Sequence, residues 1–428
     1  MLALIGLLTI LTVLLTIVSK RLSPLVALIV LPIIGAMFAG LGQQIPEFLV
    51  KGITSIAPVA VMFMFAILFF GIMNDNYVFA PFINAVLKLC ANDPRKLFVG
   101  VVLITALVHL DGSGASTFLI VIPAVLPVFD AMQIRRRKLA ALVAMSAGVN
   151  NMLPWGGPTI RAAAALDIPV MELYAPLFPV HLSGFIFVVV IAFWMGVRER
   201  VSHTGNATQP EPTSATTLLP HTTDLRWLLN ICLIVAVIGC MITGIVPPVI
   251  AFLGGAIIAL LLNSTSQDAQ KTSIEKHAAP VFMMVSILFA AGCFTGILKH
   301  SGMLDAMATS GSELLPGALA QNIPLVVALS SMPLSLLFDP DSFYFGIMPV
   351  LSGIAVDSGL PATSVAHAAL LGQMTTGFPV SPLTPATFLL IGLTNISLAD
   401  HQRYTLPLLA CISFFMTAVA LILGLIPA

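Results

Sequence analysis

The sequence predicts an all-α polytopic membrane protein made of two inverted repeats, each with five transmembrane spans, one of them broken, plus one re-entrant helical hairpin. Three observations carry that expectation. Apolar residues make up 58% of the chain and charged residues only 8%, against roughly a quarter charged in soluble domains. Two apolar segments, 97–129 and 323–355, are interrupted by aspartates, glycines and hydroxyls. And landmark residues recur in one order through the two halves: Pro24/Pro248, Pro58/Pro280, Gly71/Gly292, Asp111/Asp339, Pro123/Pro349, Pro154/Pro379 and Thr159/Thr384, the signature of an internal duplication.

In chain order, the first repeat (1–198) has apolar runs near 2–18, 24–41 and 57–73. The run at 2–18 has no basic residue ahead of it and Lys20-Arg21 behind it. That order is opposite to a cleavable signal peptide and reads as a retained span. The hairpin 97–129 follows. Its arms, Leu97 to His109 and Thr117 to Phe129, are thirteen residues each, roughly 20 Å of helix against a hydrocarbon core of roughly 30 Å. Neither is expected to cross alone, and irregular backbone at such depth requires surrounding protein or water. A span at 138–166 is broken by N-N-M-L-P-W-G-G-P-T at 150–159, and 175–197 closes the repeat. Residues 199–226, rich in Pro, Ser, Thr and Gly, read as a linker. The second repeat (227–428) has runs at 227–243, 246–262 and 280–298, the hairpin 323–355, a span 364–394 broken at 375–385, and a last span at 405–426.

An odd number of crossings per repeat inverts the second relative to the first. The basic residues give an independent indication, because cytoplasmic loops carry the excess of Lys and Arg. All of them but Lys51, Lys299 and Arg161 fall on one side of this topology. Both termini are therefore expected outside the cytoplasm, with the linker inside, in a cell inner membrane. The formal net charge of zero gives no reason to expect nucleic acid. Five cysteines without C-x-x-C spacing read as small buried residues.

The chemistry is expected where the two tips and two breaks converge. The first tip offers Asp111, Ser113, Gly114, Ser116 and Thr117, with His109 just before it as a candidate proton relay. The second offers Asp339, Asp341 and Ser342. The breaks add Asn150, Asn151, Gly156, Gly157 and Thr159, then Thr376, Ser381 and Thr384. Interrupted helices expose N–H groups that suit anions and carbonyls that suit cations. A charge within a span costs roughly 2.5–3.5 kcal/mol, which makes function the default reading of the three aspartates; the structural alternative is that they cap half-helices. Arg161 could hold a carboxylate ligand by a bidentate fork, or serve as partner to one of the aspartates. Ala386 stands at its counterpart in the second half. Up to three aspartates and one arginine would repel a free tricarboxylate unless a metal or protons accompanied it.

The runs H-L-D-G-S-G-A-S-T-F-L-I at 109–120, N-N-M-L-P-W-G-G-P-T-I-R-A-A at 150–163 and F-P-V-S-P-L-T-P-A-T at 378–387, with the basic cluster 135–138, resemble the citrate-metal/proton symporters, the CitMHS family of the ion transporter superfamily. Ser113 stands where the family run leads one to expect an acidic residue. The resemblance implies secondary, proton-coupled symport of citrate as a divalent metal complex by a homodimer working as an elevator. The cation, Mg or similar, is then part of the cargo, touched by Asp111 and Asp339, with no permanently bound cofactor. Alternative functions are a cation/proton antiporter on the same scaffold and an intramembrane enzyme with a metal at Asp339 and Asp341.

Overall fold

The computed structural model describes residues 1–19, 21–90, 93–203, 224–314 and 317–427, and among these every regular element is helical. Lys20 and most of the expected linker, residues 204–223, lie outside the described residues. The first half runs α1 (Leu2–Val18), α2 (Pro24–Phe38), α3 (Ile45–Asp75), α4 (Ala80–Cys90), α5 (Pro94–Val108), α6 (Gly114–Ala131), α7 (Arg136–Asn150), α8 (Gly157–Leu166), α9 (Val170–Tyr174) and α10 (Phe178–His203). The second runs α11 (Leu225–Ile242), α12 (Pro248–Asn263), α13 (Gln267–His300), α14 (Met303–Leu314), α15 (Gly317–Gln321), α16 (Ile323–Leu334), α17 (Met348–Asp357), α18 (Thr363–Leu370), α19 (Pro385–Thr394) and α20 (Leu398–Ile422). A wide π turn, Ser342–Ile347, leads into α17.

Helix starts follow local chemistry. Ser23, Asp93, Ser113, Asp224, Ser266 and Ser397 each accept a backbone N–H from the first turn that follows, satisfying donors that would otherwise be orphaned. Four expectations from apolar runs need correction. The spans at 57–73 and 280–298 are the C-terminal parts of α3 and α13, 31 and 34 residues long; the helix begins well ahead of each apolar run, at Ile45 and Gln267, and Pro58 and Pro280 are accommodated within it. Helices α4 and α14 went unseen because they are amphipathic, with apolar residues at helical spacing and no continuous apolar run. In the first hairpin α5 has 15 residues and α6 has 18. The Ser113 cap starts α6 three residues early, so α6 is long and apolar enough to cross a membrane by itself. Finally, helix extends to His203 and resumes at Leu225, trimming the linker at both ends. Of the cysteines, Cys90 and Cys293 are buried, whereas Cys232 and Cys411 are exposed.

Two bundles result. In one, α3 and α13 cross as the central pair, with α2 against α13, α1 against α2, and α11 on α12, which packs on α3. The crossing is close because Gly52 of α3 meets Gly292 and Gly296 of α13. A Cβ on Gly52 would lie 2.0 Å from the Gly292 carbonyl oxygen, so backbones touch where a side chain would separate them. The other bundle holds both hairpins and both broken spans: α5–α8, α10 and α16–α20 pack on one another. Helix α4 leans on α5, and α14 packs on both α17 and α1, so these two amphipathic helices connect the bundles. Among the described residues six helical stretches are long and apolar enough to span a bilayer: Gly42–Asp75, Gly114–Ala131, Val170–Glu199, Leu225–Ile242, Gln267–His300 and Leu398–Ile422.

Candidate functional site

The first tip is a tight reversal between α5 and α6. Gly112 turns it at φ +68°, a conformation that a side chain would strain, and a Cβ there would also meet the Trp155 carbonyl oxygen at 3.2 Å. Asp111 is partly exposed. Its Oδ1 accepts the Ser113 N–H at 2.8 Å, and its Oδ2 accepts the Ser116 hydroxyl and the Asn74 amide at 3.2 Å. Ser113 caps α6 through Ser116 N. Thr117 donates to the Ser113 carbonyl at 2.7 Å and lies 2.8 Å from His109 Nδ1. His109 is fully buried and stacked on Phe378. Its other ring nitrogen faces the Asn151 side chain.

The second tip uses the same device. Asp339 Oδ1 accepts the N–H groups of Asp341 and Ser342 at 3.0 and 3.1 Å, and Oδ2 accepts the Ser342 hydroxyl at 2.5 Å. Asp341 points elsewhere. Its Oδ1 takes Arg161 Nε at 2.6 Å, with both side chains under a tenth exposed. Arg161 is otherwise held by the Gly157 carbonyl at 3.2 Å and lies 3.5 Å from Met284 Sδ of α13. The arginine is thus the partner of an aspartate, and Asp341 is neutralised. Among the described residues neither Asp111 nor Asp339 stands in an ion pair, and no group of three or more His, Cys, Asp or Glu is arranged to hold a metal.

The breaks join the tips. Asn151 donates to the Met374 carbonyl at 2.6 Å, linking the first break to the second, and Gly148 lies against Thr376. Trp155 Nε1 donates to the Leu110 carbonyl at 2.6 Å, tying the first break to the first tip, while its ring forms a three-ring cluster with Phe70 and Phe252 of the other bundle. The second break reaches the first tip through Phe378, which packs against His109, Phe118 and Gly114. It reaches the second tip through Ser335, whose hydroxyl contacts Gln373 Oε1 at 3.0 Å and takes the Met374 N–H at 2.8 Å. Tyr344 closes this side by donating to the Gln373 carbonyl at 2.7 Å. Each tip therefore touches both breaks.

Several candidate residues face inward to backbone instead. Asn150, Thr159, Ser381 and Thr384 donate to the carbonyls of Ser146, Met152, Ser335 and Phe378, which fixes the broken backbone. Gly156 is required because a Cβ would meet the Asn151 carbonyl oxygen at 2.2 Å, and one on Gly157 would press on the Arg161 guanidinium at 3.0 Å. Thr376 differs: its hydroxyl is buried with no partner. Sequence reading missed Asn74, Ser335 and Gln373. Asn74 closes a long span, and the other two stand as single polar residues in apolar runs, a signal too weak to separate them from packing.

The sequence model of the citrate transporter family, CitMHS, matches residues 4–372. The chain belongs to the citrate transporter family. This member is 37% identical to the "Citrate transporter" of Bacillus subtilis over the full length of both proteins. It is 38% identical to that organism's "Mg(2+)/citrate complex secondary transporter", covering 100% of this chain and 99% of the relative. In three dimensions it is similar to the crystal structure of the YdaH transporter of Alcanivorax borkumensis, with TM-score 0.65, 15% identity and 91% of each chain covered, a likeness of fold. The family expected from the tip and break motifs is borne out. This citrate transporter family member is accordingly a multi-pass membrane transporter and not an enzyme.

Proposed function

We propose that the protein is a secondary transporter that carries citrate, or a similar di- or tricarboxylate, as a divalent metal complex in symport with protons. The single observation that carries this reading is the first tip. A partly exposed aspartate with no cationic partner among the described residues stands there beside the hydroxyls of Ser113 and Ser116, in a chain whose relatives are named for citrate and for its magnesium complex. Since Arg161 already neutralises Asp341, the site keeps Asp111 and Asp339 without compensation. A bare tricarboxylate is repelled there, and one bringing a metal or protons is not. The metal is cargo, met by Asp111 and Asp339. Ser113, Gly114, Ser116, Thr117, Ser342, Asn151 and Thr376 offer polar contacts to the carboxylates and hydroxyl of the substrate. The buried Thr376 hydroxyl, without a partner among the described residues, supports this placement, because an unpartnered buried polar atom is costly unless something meets it.

In this reading the two halves are inverted repeats and the hairpins re-entrant. The hairpin bundle slides against the α3–α13 bundle as an elevator, with α4 and α14 as connecting arms. The same reading keeps a homodimer in the cell inner membrane with both termini outside the cytoplasm. Support for motion comes from the seam, where among the described residues the two bundles meet through few polar contacts: Asn74 with Asp111, Arg161 with the Met284 sulfur, and Asp167 with Ser55 and Lys299.

Uptake of radiolabelled citrate into proteoliposomes tests the function. Uptake is expected only with a divalent cation present and is expected to rise with an imposed pH gradient; indifference to both contradicts the proposal. A Ser55→Cys/Asp167→Cys pair tests the motion, in a background freed of native cysteines. Oxidation is expected to stop uptake and reduction to restore it.

A further inference from the structure

Asn74 is the one hydrogen-bond donor that the α3–α13 bundle offers to either tip aspartate among the described residues. Its place is set from its own side. The neighbouring Asp75 binds Lys276 Nζ at 2.5 Å and faces His277 Nε2 at 3.0 Å, both on α13. Asn76 folds back to cap the helix end at the Ile72 carbonyl, 2.8 Å away. Asp75 thus holds the helix end to α13 and Asn76 folds back on α3 itself, leaving the Asn74 amide to reach across the seam to Asp111 Oδ2.

At the second tip the arrangement is otherwise. All three hydrogen bonds to Asp339 come from Asp341 and Ser342 of its own turn. Asp111 gets the equivalent two from Ser113 and Ser116, and then a third from outside. The source of the third bond, its own turn for Asp339 and the other bundle for Asp111, is what the two tips do not share.

We propose that Asn74 is a positioning residue for the Asp111 carboxylate. It orients Oδ2 toward the seam in the arrangement seen here, and it ties the readiness of the first tip to the position of the hairpin bundle. The inference rests on the reading of Asp111 as the carboxylate that meets the cargo cation. When the bundles slide, the Asn74 bond must break while those from Ser113 and Ser116 travel with the tip. The affinity of the first tip for its cation then differs between the two arrangements, and binding of the cargo biases the position of the hairpin bundle by that difference.

Steady-state uptake by Asn74→Ala, Asn74→Asp and Asp111→Asn, each checked for unchanged melting temperature, tests this. Asn74→Ala is expected to raise the KM for the metal–citrate complex about tenfold with Vmax held within about twofold, the size of one hydrogen bond to a charged group. Asn74→Asp, which sets a second carboxylate against the first, is expected to raise it further. An unchanged KM in both, or a fall in Vmax alone that is equal in both, overturns the inference and leaves Asn74 a structural helix end. If Asn74→Ala lowers the melting temperature, the Asn74→Ser variant, which retains a donor, takes its place with the same expectation at smaller size. Normal uptake by Asp111→Asn overturns the functional reading itself. Loss of uptake in Asp111→Asn together with unchanged KM in the Asn74 variants overturns this inference alone.

Discussion

Asp111 at the first tip is partly exposed and takes hydrogen bonds from both bundles, whereas Asp339 at the second takes its bonds from its own turn and adjoins Asp341, which is buried against Arg161. Both tips begin from one local device, an aspartate that accepts backbone N–H and serine O–H groups from the following turn. The surroundings decide what it does. Among the described residues both tip aspartates stand outside any ion pair, but the first tip is joined to the other bundle through Asn74, and the second is stitched to a broken span by the ion pair of its neighbour Asp341 and to the other break by Ser335 and Tyr344. One sequence motif, used twice, gives one side suited to bind and one side suited to hold.

The comparison can be broken most forcefully at Asp111. Asp111→Asn keeps an acceptor for the tip turn but removes the charge, so it is expected to cut metal-dependent citrate uptake by more than about a hundredfold while gel filtration and melting stay normal. Next comes the holding side. Arg161→Ala strands the Asp341 carboxylate in a buried site, and loss of one partner of such a pair costs about 3–5 kcal/mol; detergent-solubilised protein is expected to melt markedly lower. The double change Arg161→Met/Asp341→Leu is expected to recover most of that loss, and failure to recover would mean that Asp341 serves more than the pair.

A smaller effect is expected from Asp339→Asn. The amide oxygen still accepts the Asp341 and Ser342 N–H groups, so stability is expected to change by about 1 kcal/mol or less, and uptake less than in Asp111→Asn. Equal loss in both variants would erase the distinction between the tips. Smallest of all is Asp167, at the left-handed C-terminal cap of α8 with its side chain 44% exposed, where it meets Lys299 at 2.9 Å. Burial pushes its carboxyl up, but hydrogen bonds from Ser55 and Lys299 outweigh burial and hold it below its ordinary value of 3.8. This contact therefore contributes stability above about pH 4, lost as pH falls through the lowered value. Asp167→Asn is expected to cost well under about 1 kcal/mol at neutral pH, measured by thermal melting, with the difference from the parent vanishing in acid.

Much of this was legible beforehand. The tip D-G-S-G and the break L-P-W-G-G-P announce themselves because Asp, Pro and paired glycines have no place in a continuous apolar helix, and the structure interrupts the helices at those points. Apolar runs located the spans but not their ends, since caps such as Ser113 and Ser266 set the ends. They missed α4 and α14 altogether, because those helices are read by period and not by run. Site polarity was overread in places. A hydroxyl beside a break, as in Thr159 or Thr384, satisfies a freed carbonyl more readily than it faces a ligand. Which aspartate Arg161 meets is a matter of tertiary approach, and so is the reach of Asn74 across the seam; neither leaves a local mark in the sequence.

The most direct test of the difference between the tips is calorimetric titration of purified protein with citrate, with and without magnesium, for the parent, Asp111→Asn and Asp339→Asn. The account predicts that citrate binds the parent only with magnesium, that Asp111→Asn loses this binding, and that Asp339→Asn weakens it less. Undiminished magnesium-dependent binding by Asp111→Asn would contradict it.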